Sequence, residues 1–466
     1  MIFENNKKTR WIVLACLVVP MFASYFFDDM FSTLSHLFET PQLLELGWNS
    51  ADYGLYTSGY SVLCVFGGLV ICGMLLDKWG VRLTGSLFVG MMVFGAGTVA
   101  IALSGGYSPK SSLRLAYIGC MLFGLGSEIA GVAVTRSIAK WFKDGPMALA
   151  MGLQLAIARL GTALALIFSP VLVKAKASGE IYSLAETARP AFFGLGLMIV
   201  GIVLWTVFVI LDAKAENKVP AHKKQDNTDK RSEDKFRFSD AAKLMVNKQF
   251  LMIAFLCVFF YSSIIAFKKF ASAILIPRFD IPVETAGLMV AVLPFATVIF
   301  APVFGLLVDK AGNGTKWMVA GSVLALVAHL FLAFAPLGVP VYGYLSMVLL
   351  GFGYSLVPAA MWPSVPKIVP AKVLGTAFSL IYWVQNLGLM TFKMLAGNIL
   401  AEHSGHTDIA NSAPDFLLSG SFHVELMFVG VCILALVLSL LFSRSSRLRP
   451  ELGLDLPNGE ANAKSR

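Results

Sequence analysis

Runs of apolar residues, each long enough to form a helix of about twenty residues, recur twelve times along the chain, near 11–37, 52–76, 83–104, 113–140, 146–172, 190–212, 249–277, 283–308, 315–336, 341–366, 372–400 and 421–443. Twenty residues of α-helix rise about 30 Å, the thickness of a bilayer's hydrocarbon core. A transmembrane barrel would instead show segments of about ten alternating residues. The pattern therefore predicts an all-α membrane protein with twelve transmembrane helices and the lipid bilayer as its solvent. Charged residues make up only 14% of the chain, against roughly a quarter in a soluble domain. The first run follows Lys7, Lys8 and Arg10 but is long, carries Asp28 and Asp29 and lacks a small-residue cleavage site, so it reads as a retained helix.

The net charge of +9 does not indicate nucleic-acid binding, because the basic residues lie between apolar runs and form no stripe. They report topology. Most of the 37 Lys and Arg fall on the side that holds both termini, the even-numbered turns and one long hydrophilic segment, 213–248. By the positive-inside rule that side is cytoplasmic. The segment divides the chain into an N-terminal six-helix bundle, 1–212, a cytoplasmic linker, 213–248, a C-terminal six-helix bundle, 249–443, and a cytoplasmic tail, 444–466. The six cysteines all sit inside apolar runs without CxxC spacing, and no Walker motif, catalytic triad or metal-ligand spacing occurs. The reading is a non-enzyme with no metal and no cofactor.

The halves repeat. GMLLDKWGVR (Gly73 to Arg82) is echoed by GLLVDKAGNG (Gly305 to Gly314), so Gly73, Asp77, Lys78 and Gly80 recur as Gly305, Asp309, Lys310 and Gly312. IARLG at 157–161 is echoed by VQNLG at 384–388, which makes Asn386 the counterpart of Arg159. Parallel repeats of this kind place a substrate site at the membrane midplane between them.

Within the apolar runs a few charges stand out. Glu128 and Arg159 each lie about 12 or 13 residues from the turn at Asp144–Pro146, hence roughly 18 to 20 Å from that face, near mid-membrane. A charge there costs roughly 2.5 to 3.5 kcal/mol on insertion scales, so each should face a partner, a cavity or a substrate. Either they neutralise each other, or a zwitterion's ammonium pairs with Glu128 and its carboxylate with Arg159. Tyr25, Tyr261, Tyr382, Gln385, Asn386 and Trp362 lie at similar depth and join the expected site. Asp28 and Asp29 on the first helix meet the depth of Lys268 and Lys269 on the seventh, which predicts an ion-paired gate; snorkelling to the interface is the other reading. Arg136 reads as an inner-side ion pair or a second anion ligand, and Lys393 and His329 as interfacial and packing residues.

The G-x-x-x-D-[KR]-x-G-x-[RK] turn, present once per half and lacking its last basic residue in the second, resembles the signature of the major facilitator superfamily. The resemblance implies two pseudo-symmetric bundles that rock about a central site, with Asp77, Arg82 and Asp309 latching the halves on the cytoplasmic side. More narrowly, the chain resembles the lysosomal dipeptide-transporter branch of that superfamily. The matching stretches are Ser24 to Asp29, FGLGSE (Phe123 to Glu128), KWFK (Lys140 to Lys143), GLQLAIARLG, APVFGLLVDKAG (Ala301 to Gly312), MWPSV from Met361, and VLGTAFSLIYWVQNLGL (Val373 to Leu389). The branch implies a dipeptide carrier in which an acid on helix 4 and an Arg on helix 5, here Glu128 and Arg159, bind the substrate. Of the gate residues only Asp29 matches the branch pattern. An organic-anion carrier using Arg136, Arg159 and the Lys pair, and a non-transporting receptor or scaffold, are the rival readings. Uniport and proton coupling are both compatible with the residues. With no dileucine signal and no glycan acceptor outside, a bacterial inner membrane is expected, with a lysosomal membrane as the alternative.

Overall fold

Two glycines set the shape of the chain's repeated turn. The computed structural model describes residues 7–143, 146–176, 180–217, 244–370, 373–403 and 414–456, apart from the side chains of Asp77, Ala148, Glu284 and 414–419. In it Gly80 has φ +76° and ψ 171°, and Gly312 has φ +61° and ψ −140°. Side-chain-bearing residues avoid this region of backbone space. The repeated glycine is thus the residue that lets the chain reverse between consecutive spans.

The long helices are α1 Lys7–Asp29, α2 Ser50–Leu76, α3 Lys78–Ser104, α4 Pro109–Trp141, α5 Met147–Val173, α6 Arg189–Asn217, α7 Lys248–Phe279, α8 Val283–Ala311, α9 Gly314–Phe334, α10 Pro340–Ile368, α11 Leu374–His403 and α12 Pro414–Leu448. Among the described residues, eleven helices are long and apolar enough to cross a membrane. The other, α11, is 30 residues long but carries Gln385, Asn386 and Lys393, all three buried against its neighbours. Its polarity faces protein and not lipid, the arrangement in which a bilayer tolerates such residues.

Packing follows the repeat. α1 packs on α5 and α6 as α7 packs on α11 and α12; α2 on α4 as α8 on α10; α3 on α4 and α6 as α9 on α10 and α12. Between the halves α2 meets α11 and α5 meets α8, again related by a shift of six. A pseudo-twofold axis therefore runs between two six-helix bundles. With twelve spans, the first and last helices open and close on one face, called the terminal face here; the opposite face is the distal face.

Several expected boundaries move. α1 ends at Asp29 and not near 37, because its last two residues enter ion pairs described below; the chain then folds into short 3-10 turns, Ser35–Glu39 and Pro41–Leu43. Phe31, Leu34, Leu37, Phe38 and Trp48 are buried there, and the Phe38 ring stacks on Tyr53 at 4.6 Å, so this stretch is a packed plug and not an exposed loop. α6 runs to Asn217 and α12 to Leu448, past the expected limits at 212 and 443. Most of the expected linker, 218–243, lies outside the described residues, as does 457–466 of the tail. The described part of the tail is docked: Ser446 and Thr315 hydroxyls donate to the Asp455 carboxylate, which also accepts from the Thr315 backbone N–H at 2.9 Å, and Lys367 donates to the Gly453 carbonyl. A carboxylate at the start of α9 complements that helix's positive end.

Candidate functional site

Glu128 and Arg159 do not pair with each other: among the described residues no ion pair joins them, and each is held by a phenol. Gly124 of α4 presses on the α2 backbone, where an added methyl would meet the Tyr60 carbonyl at 2.1 Å. That close approach lets the Tyr60 hydroxyl donate to Glu128 Oε1 at 3.0 Å, and also to Ser127 Oγ at 3.3 Å. Ser127 Oγ lies 2.5 Å from Ser24 Oγ of α1, tying α1, α2 and α4 around the carboxylate. On α5, Arg159 Nη2 donates to the Tyr354 hydroxyl of α10 at 3.1 Å, a contact between the two halves. Its guanidinium carbon lies 5.2 Å from the Tyr354 ring centre and 5.7 Å from that of Tyr25. Such contacts are worth about 0.5 to 2 kcal/mol each and hold the cation without neutralising it.

The aromatic residues continue from Arg159 toward the terminal face. Tyr354 meets Tyr261 edge to face at 5.6 Å, the Trp362 indole donates to the Tyr261 hydroxyl at 3.0 Å, and Trp362 stacks on Tyr382 at 5.2 Å. Tyr382 keeps 44% of its surface exposed. Tyr25, Tyr261, Trp362 and Tyr382 are thus brought into one array with Arg159. Gln385 and Asn386 are buried beside it but hydrogen-bond neither Glu128 nor Arg159. The Asn386 amide donates to the Tyr382 carbonyl, and both side-chain carbonyl oxygens are without a partner among the described residues. Tyr60 and Tyr354 were not singled out from the sequence; lying at mid-depth on spans, they carried the same signal as Tyr25 and Tyr261.

On the distal side of Arg159, Asp29 is 1% exposed and receives Lys268 Nζ at 2.6 Å and Lys269 Nζ at 2.9 Å. Thr162 donates to it at 2.9 Å and Ser32 at 3.3 Å. Lys269 also pairs with Asp28 at 2.8 Å and donates to the Asp28 carbonyl. Three of these four charged side chains are buried, with Asp28 partly exposed, so they do not snorkel to an interface. The plug adds uncharged links: Ser35 Oγ lies 2.9 Å from Ser272 Oγ of α7, and the His36 N–H donates to the same oxygen. Burial pushes the His36 imidazole down to about 4, which keeps it neutral at ordinary pH.

Lys393 is not interfacial. It is 2% exposed, donates to the Thr57 carbonyl of α2 at 3.2 Å and sits 5.4 Å from the Tyr60 ring centre, bridging α11 to α2. His329 packs as expected, but against an unforeseen acid: its Nδ1 lies 2.7 Å from Glu425 Oε2, both side chains fully buried.

On the terminal face, Arg82 does not span the halves here. It pairs with Glu216 at 2.9 Å and Asp212 at 3.7 Å on α6 of its own half, where Lys140 and the Trp141 indole also reach Asp212. α3 packs directly on α6, so the carboxylates nearest to Arg82 are in-half. Asp309 and Arg136 are exposed. The Asp77 side chain lies outside the described residues.

The chain matches the family model described as Major Facilitator Superfamily over residues 17–393 and over 267–462. It is 31% identical over 409 residues to the lysosomal dipeptide transporter MFSD1 of Homo sapiens, covering 84% of this chain and 80% of that one. The protein of the same name from Danio rerio is 28% identical over 479 residues, covering 96% and 93%. Among solved structures, a bacterial homologue of the human lysosomal transporter Spinster, inward-facing and unoccupied, aligns with a TM-score of 0.66 at 13% identity, over 96% of this chain and 99% of that one.

Proposed function

The chain belongs to the major facilitator superfamily, and from that premise we propose that it is a secondary transporter of dipeptides and similar small zwitterions, working by alternating access. One observation carries the reading: opposite charges at mid-membrane, on α4 and α5, are each held by a neutral phenol and kept apart. A pair that served only to fix helix packing would be closed on itself, since an unpaired buried charge is costly. A dipeptide's charged ends lie roughly 7 Å apart in an extended chain. Its ammonium would take Glu128 and its carboxylate a bidentate bond from Arg159, whose fork suits carboxylate geometry.

Tyr25, Tyr261, Tyr382 and Trp362 supply walls that accept varied side chains, and Gln385 and Asn386 have unused carbonyl oxygens for the peptide group. The names of the relatives at about 30% identity support dipeptides as the cargo. Asp28, Asp29, Lys268 and Lys269 act as the distal gate in this reading. Asp77, Arg82 and Asp309 act on the terminal face, with Arg82 changing partners as the halves rock. By the distribution of Lys and Arg, the terminal face is cytoplasmic; the sequence signals support a bacterial inner membrane, and the names of the relatives support the lysosomal alternative.

Thermal stabilisation of the purified protein against a panel of dipeptides and organic anions tests the proposal, since a ligand that binds the folded state alone raises the melting temperature. Dipeptides should stabilise, and Glu128→Gln and Arg159→Ala should each abolish the shift. A shift that survives both changes would refute the site, and stabilisation by organic anions alone would replace the dipeptide reading with an anion carrier.

A further inference from the structure

We propose that Lys268 is a releasable cation shared between the distal gate and the substrate site: it leaves Asp29 for the substrate's carboxylate, so that binding at Arg159 loosens the gate. The inference rests on the dipeptide reading only for the identity of the carboxylate.

Four observations carry it. First, Lys268 and Arg159 line the same cavity, together with Thr162, Tyr354, Ile264 and Pro294, and its volume of about 10 Å³ is that of about one water molecule. A carboxylate held by Arg159 would therefore stand one small gap from Lys268. Second, the Asp29 oxygen that takes Lys268 also accepts from Thr162, one turn along α5 from Arg159, so it keeps a donor if the ammonium departs. Third, Asp29 has a second ammonium: Lys269 Nζ holds its other oxygen at 2.9 Å and also pairs with Asp28. Losing Lys268 therefore leaves no unpaired carboxylate behind. Fourth, the two lysines differ in access. The Lys269 side chain is wholly buried, whereas that of Lys268 retains 8% exposure, and Lys268 alone of the two lines the cavity.

The physical consequence is an exchange of ion pairs at nearly constant charge. Without substrate, Lys268 joins α7 to α1 across the halves through Asp29. With a carboxylate at Arg159, its flexible four-carbon stem lets the ammonium swing to the new anion. One of the two bonds that join Asp29 to α7 is then gone, and the halves separate more readily at the distal face. Substrate arrival and gate release become one event, and the same cation adds to the affinity for a free carboxylate.

The test compares a dipeptide with its C-terminally amidated form on the purified full chain and its Lys268→Met, Lys268→Arg and Lys269→Met variants. Lys268→Met should weaken the free acid about tenfold and leave the amide unchanged, and Lys268→Arg should restore the acid's advantage. Where Lys268→Met does not fold, Lys268→Gln takes its place. A ligand-free arm uses a Ser35→Cys reporter, buried at the plug against Ser272. It should react faster with thiol reagents than in wild type in Lys268→Met, which lacks one of the two bonds from Asp29 to α7, and faster still in Lys269→Met, which also frees Asp28. Equal losses for acid and amide, or no loss for the acid, would overturn the proposal. So would a reporter that reacts no faster in Lys268→Met than in wild type. A wild type that binds no dipeptide refutes the dipeptide reading, and the reporter arm, which needs no ligand, then decides on Lys268 by itself.

Discussion

Replacing Asp29 by Asn removes the one carboxylate that both gate lysines share. Asp29 is 1% exposed with ammonium groups at 2.6 and 2.9 Å, so the change leaves Lys268 buried with no anion, while Lys269 retains Asp28. Breaking a buried pair by removing one partner costs about 3 to 5 kcal/mol. That cost falls on the distally closed state alone, because opening lets water reach Lys268. The closed-to-open equilibrium should therefore shift toward opening by about 10²-fold to 4 × 10³-fold, at 1.4 kcal/mol per factor of ten. Asp28→Asn makes the control: Asp28 is 28% exposed and among the described residues pairs with Lys269 alone, so screening limits its share to about 1 kcal/mol and less than about tenfold. The assay is the reaction rate of the Ser35→Cys reporter with a polar thiol reagent, feasible because the six native cysteines are all buried. Equal rates in Asp29→Asn and wild type, with the fold intact, would refute the gate. So would a larger effect from Asp28→Asn than from Asp29→Asn.

Tyr354→Phe keeps the ring over Arg159 and removes the hydroxyl that fixes its guanidinium, so dipeptide affinity should fall by about 1 kcal/mol, roughly fivefold, in a titration that leaves the melting temperature of the free protein almost unmoved. Gly80→Ala and Gly312→Ala each force a methyl-bearing residue into a positive-φ turn, which costs about 1 to 3 kcal/mol and should lower the melting temperature, whereas Gly73→Ala, in a helix with open space around it, should not. At the distal loop, Lys176 and the Ser183 backbone and hydroxyl hold Glu186 down to about 2. A depressed carboxylate stabilises above its unfolded value and loses that contribution as the pH falls toward the folded one. The melting temperature should thus drop between about pH 4.5 and 2 by more in wild type than in Glu186→Gln. Uptake into liposomes should not respond to a pH gradient, because a zwitterion satisfies Glu128 and Arg159 without a proton; stimulation by an acidic exterior would show coupling.

The number of spans, the two halves and the repeat were legible in the sequence because each rests on a periodicity that bilayer thickness enforces. That Glu128 and Arg159 lie well inside α4 and α5 was legible too, since residues count along a straight helix from a turn. What the sequence did not carry were contacts between distant helices. Tyr60 reaches Glu128 through the α2–α4 approach at Gly124, and Tyr354 reaches Arg159 from the other half. Lys393 read as interfacial because its position on α11 is near an end, yet α2 covers it. The end of α1 was placed eight residues late because the apolar residues 30–38 suit a span as well as a buried plug. Hydropathy cannot distinguish the two.

The clamp itself is tested most directly by pairing each end of the ligand with each jaw. Binding of a dipeptide, its N-acetylated form and its C-amidated form is measured by calorimetry on wild type, Glu128→Gln and Arg159→Gln. In wild type each blocked end should cost about 1.5 to 3 kcal/mol, the worth of a hydrogen bond to a charged group. Acetylation should cost nothing further in Glu128→Gln, and amidation nothing further in Arg159→Gln. Losses of the same size in wild type and in the matching variant would mean that these two side chains do not hold the two ends of the substrate.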